Sequence, residues 1–193
     1  MSGILHPPEP WSDLCRTITL WHGCCHQDAK SIQASGVDPA RGKPDTDFGR
    51  GFYTTTFRLQ AEKWAWQRRP FLPPDMVRGK APVVLRFRVP LEEIARLDTL
   101  HFVSDVSDRQ PFWSLVHHCR QGGLGHLHPG RTAPNDWYDV VSGPVAGSWK
   151  QCIVFKDADQ YSFHTAIAVE ILNRLIDSGD KDRFQLFRVR KRR

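Results

Sequence analysis

Three short stretches of the 193-residue chain combine residue types that do chemistry. The first is His22-Gly23, where an imidazole donates or accepts a hydrogen bond and the glycine lets a ligand come close to backbone polar groups. The second is Asp47–Thr55 (DFGRGFYTT), in which Gly49 and Gly51 make a tight approach into a strand and Phe52 and Tyr53 point to opposite faces. One of those rings must face away from the core or line a cleft. The third is Gln160–Thr165 (QYSFHT), a polar residue opening a strand, whose amide is suited to fixing a sugar hydroxyl. Each has a purely structural reading as well: a satisfied histidine, a half-buried tyrosine, a capping glutamine, and in Asp47 a turn residue.

Other side chains compete for attention. His22, Cys24 and His26 alternate on one face of an extended segment, and His117, His118, Cys119, His126 and His128 cluster later, a ligand set that zinc accepts. There is no Cys-x-x-Cys pair and no His-Glu-x-x-His, so no metal site is predicted. Cys24 or Cys25 beside a histidine has the ingredients of a nucleophile, but nothing flanking them looks like a nucleophile turn.

These residues need elements to hold them. Arg16–His22 reads as a strand ending at Gly23, and Asp28 caps a helix that Gly36 stops after Ser35. Residues 37–50 carry no hydrophobic period and read as a long loop, the kind that in compact domains is functional or mobile. Gly51–Thr56 is a strand, Leu59–Arg69 a helix stopped by Pro70, and Pro82–Val89 a half-buried strand with alternating apolar positions. Helices are predicted over Leu91–Leu97, Pro111–Arg120 and Thr165–Ile176, and strands over Tyr138–Ser142 (closed by Gly143-Pro144), Tyr161–His164 and Arg183–Val189. Strands in the plural without a regular βαβ rhythm argue for an α+β fold.

Composition bounds the rest. At 22.2 kDa, with 40% hydrophobic and 25% charged residues, the chain is one globular domain over 1–189 followed by a basic tail over 190–193. The net charge is +6, but Arg188, Arg190, Lys191, Arg192 and Arg193 account for nearly all of it, so a DNA-binding body is not implied. No stretch reaches the ~18 apolar residues of a membrane helix, and the N-terminal residues lack the basic and apolar regions of a secretion signal. The five cysteines lack disulfide-scaffold density and fit a reducing, cytoplasmic setting. Of the seven tryptophans, any left exposed would be an interface candidate.

Taken together and in order, the three stretches resemble the ADP-ribosyltransferase superfamily. More closely, they are similar to a poorly characterised bacterial branch whose members carry LYHGS, DFGxGFYxTT and QxxFHT in the same order. Phe112-Trp113 with Arg120, and Asp139–Ala146 (DVVSGPVA), are similar to that branch too, so the likeness spans roughly Leu20 to Leu175. The resemblance implies a split pair of mixed and antiparallel β-sheets flanked by short helices, and NAD as co-substrate. It implies that His22 holds the adenosine-side ribose hydroxyls, that the Gly23 backbone meets the nicotinamide amide, and that Tyr53 stacks on the nicotinamide ring. Phe52 and Thr54 join the cofactor-binding set, with Asp47 as a candidate supplementary carboxylate beside its reading as a turn residue, and the third catalytic position falls on Gln160. There the family usually has a glutamate, which grips the ribose 2′-hydroxyl and stabilises positive charge on the sugar; an amide does only the first.

The activity implied is mono-ADP-ribosyl transfer to a macromolecule, protein or nucleic acid, by a bacterial toxin or effector that an antitoxin or immunity protein would hold in check. Delivery into another cell without a Sec-type signal is compatible with it. The alternatives are an NAD glycohydrolase, and a silent module that binds NAD, ADP-ribose or nucleic acid.

Overall fold

The computed structural model describes residues 16–67, 80–103, 110–128, 131 and 133–189. In chain order these form β1 (Thr17–Cys25), α1 (His26–Ser35), β2 (Phe52–Thr54), α2 (Arg58–Gln67), β3 (Pro82–Pro90), α3 (Leu91–Ile94), β4 (Thr99–His101), α4 (Gln110–Arg120), β5 (Val140–Ser148), β6 (Ile153–Phe163), α5 (Ala166–Asp177) and β7 (Phe184–Arg188). The fold is α+β with two sheets. One is antiparallel, ordered β1-β3-β7; the other is mixed, ordered β2-β6-β5-β4, with β4 parallel to β5. The basic tail, Trp11, Cys15 and most of the proline-rich linker lie outside the described residues.

β3 is central, with α2 packed over β1 and β3 and α5 packed against β3. It is therefore buried more deeply than the predicted half-buried strand, and Val83, Val84 and Leu85 are fully enclosed. Leu20, Phe52, Phe87 and Phe163 join Val169 and Leu172 of α5 in the larger core, and Phe48, Val141 and Ala146 pack under Phe112, Leu115 and Val116 of α4 in a second one. Each such valine, leucine or phenylalanine side chain contributes ~1.5–3 kcal/mol by leaving water. The six described tryptophans are all half-buried, so none stands out as an exposed interface anchor.

Several expectations need correction. β1 does not end at His22; Cys24 and Cys25 continue it by pairing with Val83 and Pro82. The N-cap of α1 is Cys25, whose Sγ accepts from Asp28 N, which places Asp28 inside the first turn. β5 runs straight through Gly143-Pro144. β4 reaches only Val140–Ser142, so among the described residues no strand lies on the outer edge of β5 at Pro144, and proline is tolerated there. β6 is far longer than Tyr161–His164, because its first half is largely exposed and has little buried face to pattern it. Gln160 accordingly sits inside β6, opposite Gly143, and does not open the strand. β4 was not anticipated, and α3 stops at Ile94.

Candidate functional site

The two sheets touch along β1 and β2 at one bridge, where Trp21 and Thr55 exchange both backbone hydrogen bonds at 2.8 and 2.9 Å. Beyond it the strands part, and His22 spans the opening: its Nδ1 lies 2.7 Å from the Tyr53 carbonyl oxygen, and its ring stacks on Phe52 at 4.3 Å. A carbonyl only accepts, so Nδ1 carries a proton in this contact. Alternation along an antiparallel strand sends the Gly23 N–H and C=O to the same side as those of Trp21, which is the edge that faces the split.

The split opens into a cleft of ≈ 520 Å³. His22, Asp47, Phe52, Tyr53 and Gln160 all line it, together with Arg41, Trp64 and Arg120. Gly23 and Thr54 line a much smaller adjoining pocket of ≈ 20 Å³ instead, and Thr54 spends its hydroxyl on the Tyr161 carbonyl at 3.2 Å. The glycine at position 23 answers to packing: its Cα side lies directly on the backbone of α2.

Tyr53 is tied by its hydroxyl to the loop that precedes it. Oη donates to the Gly49 carbonyl at 2.8 Å and accepts from Phe48 N at 3.0 Å and from Thr46 Oγ1 at 2.7 Å. Burial pushes the phenol above its ordinary value, so it remains a donor at neutral pH. Tyr53→Phe keeps the ring on the cleft but strands the Phe48 N–H, and the expected cost is ~1–2 kcal/mol in urea denaturation. An unchanged midpoint would mean that water replaces the hydroxyl.

Asp47 and Gln160 form the polar floor and are each only 2% exposed. Asp47 Oδ1 accepts from Arg120 Nη2 at 2.6 Å and Nε at 2.9 Å, while Oδ2 accepts from Gln160 Nε2 at 2.7 Å and Ala146 N at 2.8 Å. Gln160 Nε2 also donates to the Pro144 carbonyl at 2.9 Å. Arg120 is a member of the floor that spacing alone missed, since it meets Asp47 from 73 positions away. Asp159, next to Gln160, was missed as well. It accepts from Thr55 Oγ1 at 2.6 Å and Thr56 N at 2.9 Å and so joins β6 to the residues that follow β2.

The remaining candidates disperse. Among the described residues no three His, Cys, Asp or Glu side chains are grouped to hold a metal ion. Burial pushes the Cys25 thiol up, against a thiolate, and raises Cys119 to about 12. His126 and His164 are enclosed behind the cleft, where they hold the Phe48 and Arg50 carbonyls. Among the described residues no helix is long and apolar enough to cross a membrane.

A family model described as protein of unknown function (DUF3990) matches residues 18–174. No curated protein and no solved structure matches the chain.

Proposed function

We propose, for a chain that belongs to the DUF3990 family of proteins of unknown function, that the cleft binds NAD and breaks its nicotinamide–ribose bond, transferring ADP-ribose to a macromolecule. The observation that carries this reading is convergence. His22, Tyr53 and Gln160 come from three separate strands and line one cleft, whose ≈ 520 Å³ falls within the ~300–1,000 Å³ typical of small-molecule sites.

The chemistry asks for little acid catalysis. The C1′–N bond breaks, its electron pair leaves on a nicotinamide that departs neutral, and positive charge is left on the sugar until an acceptor nucleophile bonds to C1′ and gives up its proton. Positioning and charge stabilisation do most of the work. His22 holds the adenosine-side ribose hydroxyls, the Tyr53 ring covers the cationic nicotinamide, and the Gly23 peptide groups at the split edge meet the carboxamide. Gln160 takes the 2′-hydroxyl. Similarity of motif extends the proposal to a bacterial toxin or effector acting on protein or nucleic acid, with an antitoxin or immunity protein as counterpart. Water as acceptor would make it a glycohydrolase. The neutral amide at 160 favours a second reading, a module that binds NAD or ADP-ribose without turnover.

Nicotinamide release from NAD, measured with and without cell lysate, separates these. A transferase gives release that lysate stimulates, and Gln160→Ala and Tyr53→Ala lower it by ~100-fold, the scale of removing one stabilising group. Lysate-independent release with free ADP-ribose as sole product identifies the glycohydrolase. Binding without release favours the silent module, and neither release nor calorimetric binding overturns the NAD reading.

A further inference from the structure

The amide at position 160 sits among groups that select it. Its Nε2 carries two hydrogens, and two acceptors meet them: Asp47 Oδ2 at 2.7 Å and the Pro144 carbonyl at 2.9 Å. A carboxylate there would set oxygen against oxygen on both contacts. Asp47 cannot turn away, because Arg120 holds Oδ1 twice and the Ala146 N–H holds Oδ2. Pro144 is fixed within β5 by pairing with Asp159. With both hydrogens directed at this pair, Oε1 is the amide atom left for the cleft that Gln160 lines.

The geometry points to Asp47 as a positioning residue that, with the Pro144 carbonyl, selects glutamine over glutamate at 160 and turns its carbonyl oxygen to the substrate. This rests on the reading of Gln160 as the partner of the ribose 2′-hydroxyl. The pairing itself stands whatever the ligand is. It means that Gln160 is a fitted part of the site and that a glutamate placed there does not improve it. The negative charge of the floor lies one hydrogen bond behind the amide, on Asp47, and Arg120 compensates it.

Gln160→Glu and Asp47→Asn in the full chain test this. Two carboxylates at hydrogen-bond distance cannot both ionise, so the Gln160→Glu pair shares one proton that the unfolded chain releases. The expected results are a denaturation midpoint for Gln160→Glu well below wild type at pH 7.5, a gap that narrows at pH 5.0, and at least a tenfold loss of nicotinamide release. In Asp47→Asn the amide at 47 offers only one acceptor to both sides. Gln160 is then free to reverse, and release falls while the Gln160 side-chain NH₂ loses its protection from hydrogen exchange.

Wild-type protein with side-chain 15N-labelled glutamine gives the same test without a variant: the Gln160 NH₂ pair exchanges far more slowly than those of the exposed glutamines. A Gln160→Glu protein as stable as wild type at pH 7.5, or equally or more active, overturns the proposal, as does free exchange at the Gln160 amide. If wild type neither releases nicotinamide nor binds NAD, the NAD reading fails, while the midpoints and exchange rates still decide the amide lock.

Discussion

Gly23→Ala should yield no natively folded protein. A Cβ at residue 23 would lie 2.0 Å from the Ala61 carbonyl oxygen, 2.9 Å from its carbon and 3.0 Å from Ala65 N. All three are backbone atoms of α2, so no rotamer change relieves the overlap. Ordinary overpacking in a core costs ~1–3 kcal/mol because side chains give way. Here the helix itself would have to retreat, and it is fastened to the second sheet by Gln60 Nε2, which donates to the Asp159 carbonyl at 2.7 Å. The loss should exceed ~4 kcal/mol, a large part of a domain's ~5–15 kcal/mol. Circular dichroism and a urea midpoint decide it. Adding Ala61→Gly separates the causes: it does not rescue the variant, because the clash is with a carbonyl oxygen and not a methyl group. A soluble Gly23→Ala protein with the wild-type midpoint would mean that α2 does not lie this close to β1.

This glycine shows how a motif is readable while its reason is hidden. The sequence pattern at His22-Gly23 suggests close approach of a ligand, yet what lies against the Cα of Gly23 is a helix that begins thirty-five positions later. The convergence of His22, Tyr53 and Gln160 is what the resemblance of the three ordered stretches implies, and each of them belongs to a strand with its own local signature. The Asp47–Arg120 pair could not, since an aspartate in a turn-rich loop and an arginine at a helix end look like surface residues until the chain closes. Strand length failed for a related reason. Ile153 and Phe155 are more than half exposed, and with so little buried face a strand writes no clear alternating pattern into its sequence. β4, three residues long, is specified by its pairing with β5 and not by its own composition.

Acid should loosen the site through two buried imidazoles. The loop that carries Asp47 is held where His126 Nε2–H donates to the Phe48 carbonyl at 3.0 Å and His164 Nδ1–H donates to the Arg50 carbonyl at 2.8 Å. His126 Nδ1 in turn accepts from Tyr138 N at 2.9 Å, so a second proton on that ring would set N–H against N–H. Burial lowers His126 to about 4, with Phe48 opposing the shift and His118 adding to it. Burial, with His126 edge-on at 4.4 Å, also lowers His164 well below 6.5. Both groups bind protons more tightly when unfolded, so the stability they lend is complete above ~6.5 and is lost as pH falls toward the folded values. For His126 the interval from 6.5 to about 4 is worth ~3 kcal/mol, and His164 adds in the same direction. Urea midpoints from pH 8 to pH 4.5 should therefore fall steeply below 6.5. His126→Gln retains a donor for Phe48 but cannot take up a proton; it should be less stable than wild type at pH 8, by ~1–3 kcal/mol for the stranded Tyr138 N–H, and markedly flatter on acidification. An equal slope in the variant would assign the acid response to other groups. Because the same loop carries Asp47 and, through it, the orientation of Gln160, any activity of the cleft should decline over this pH range before the chain unfolds.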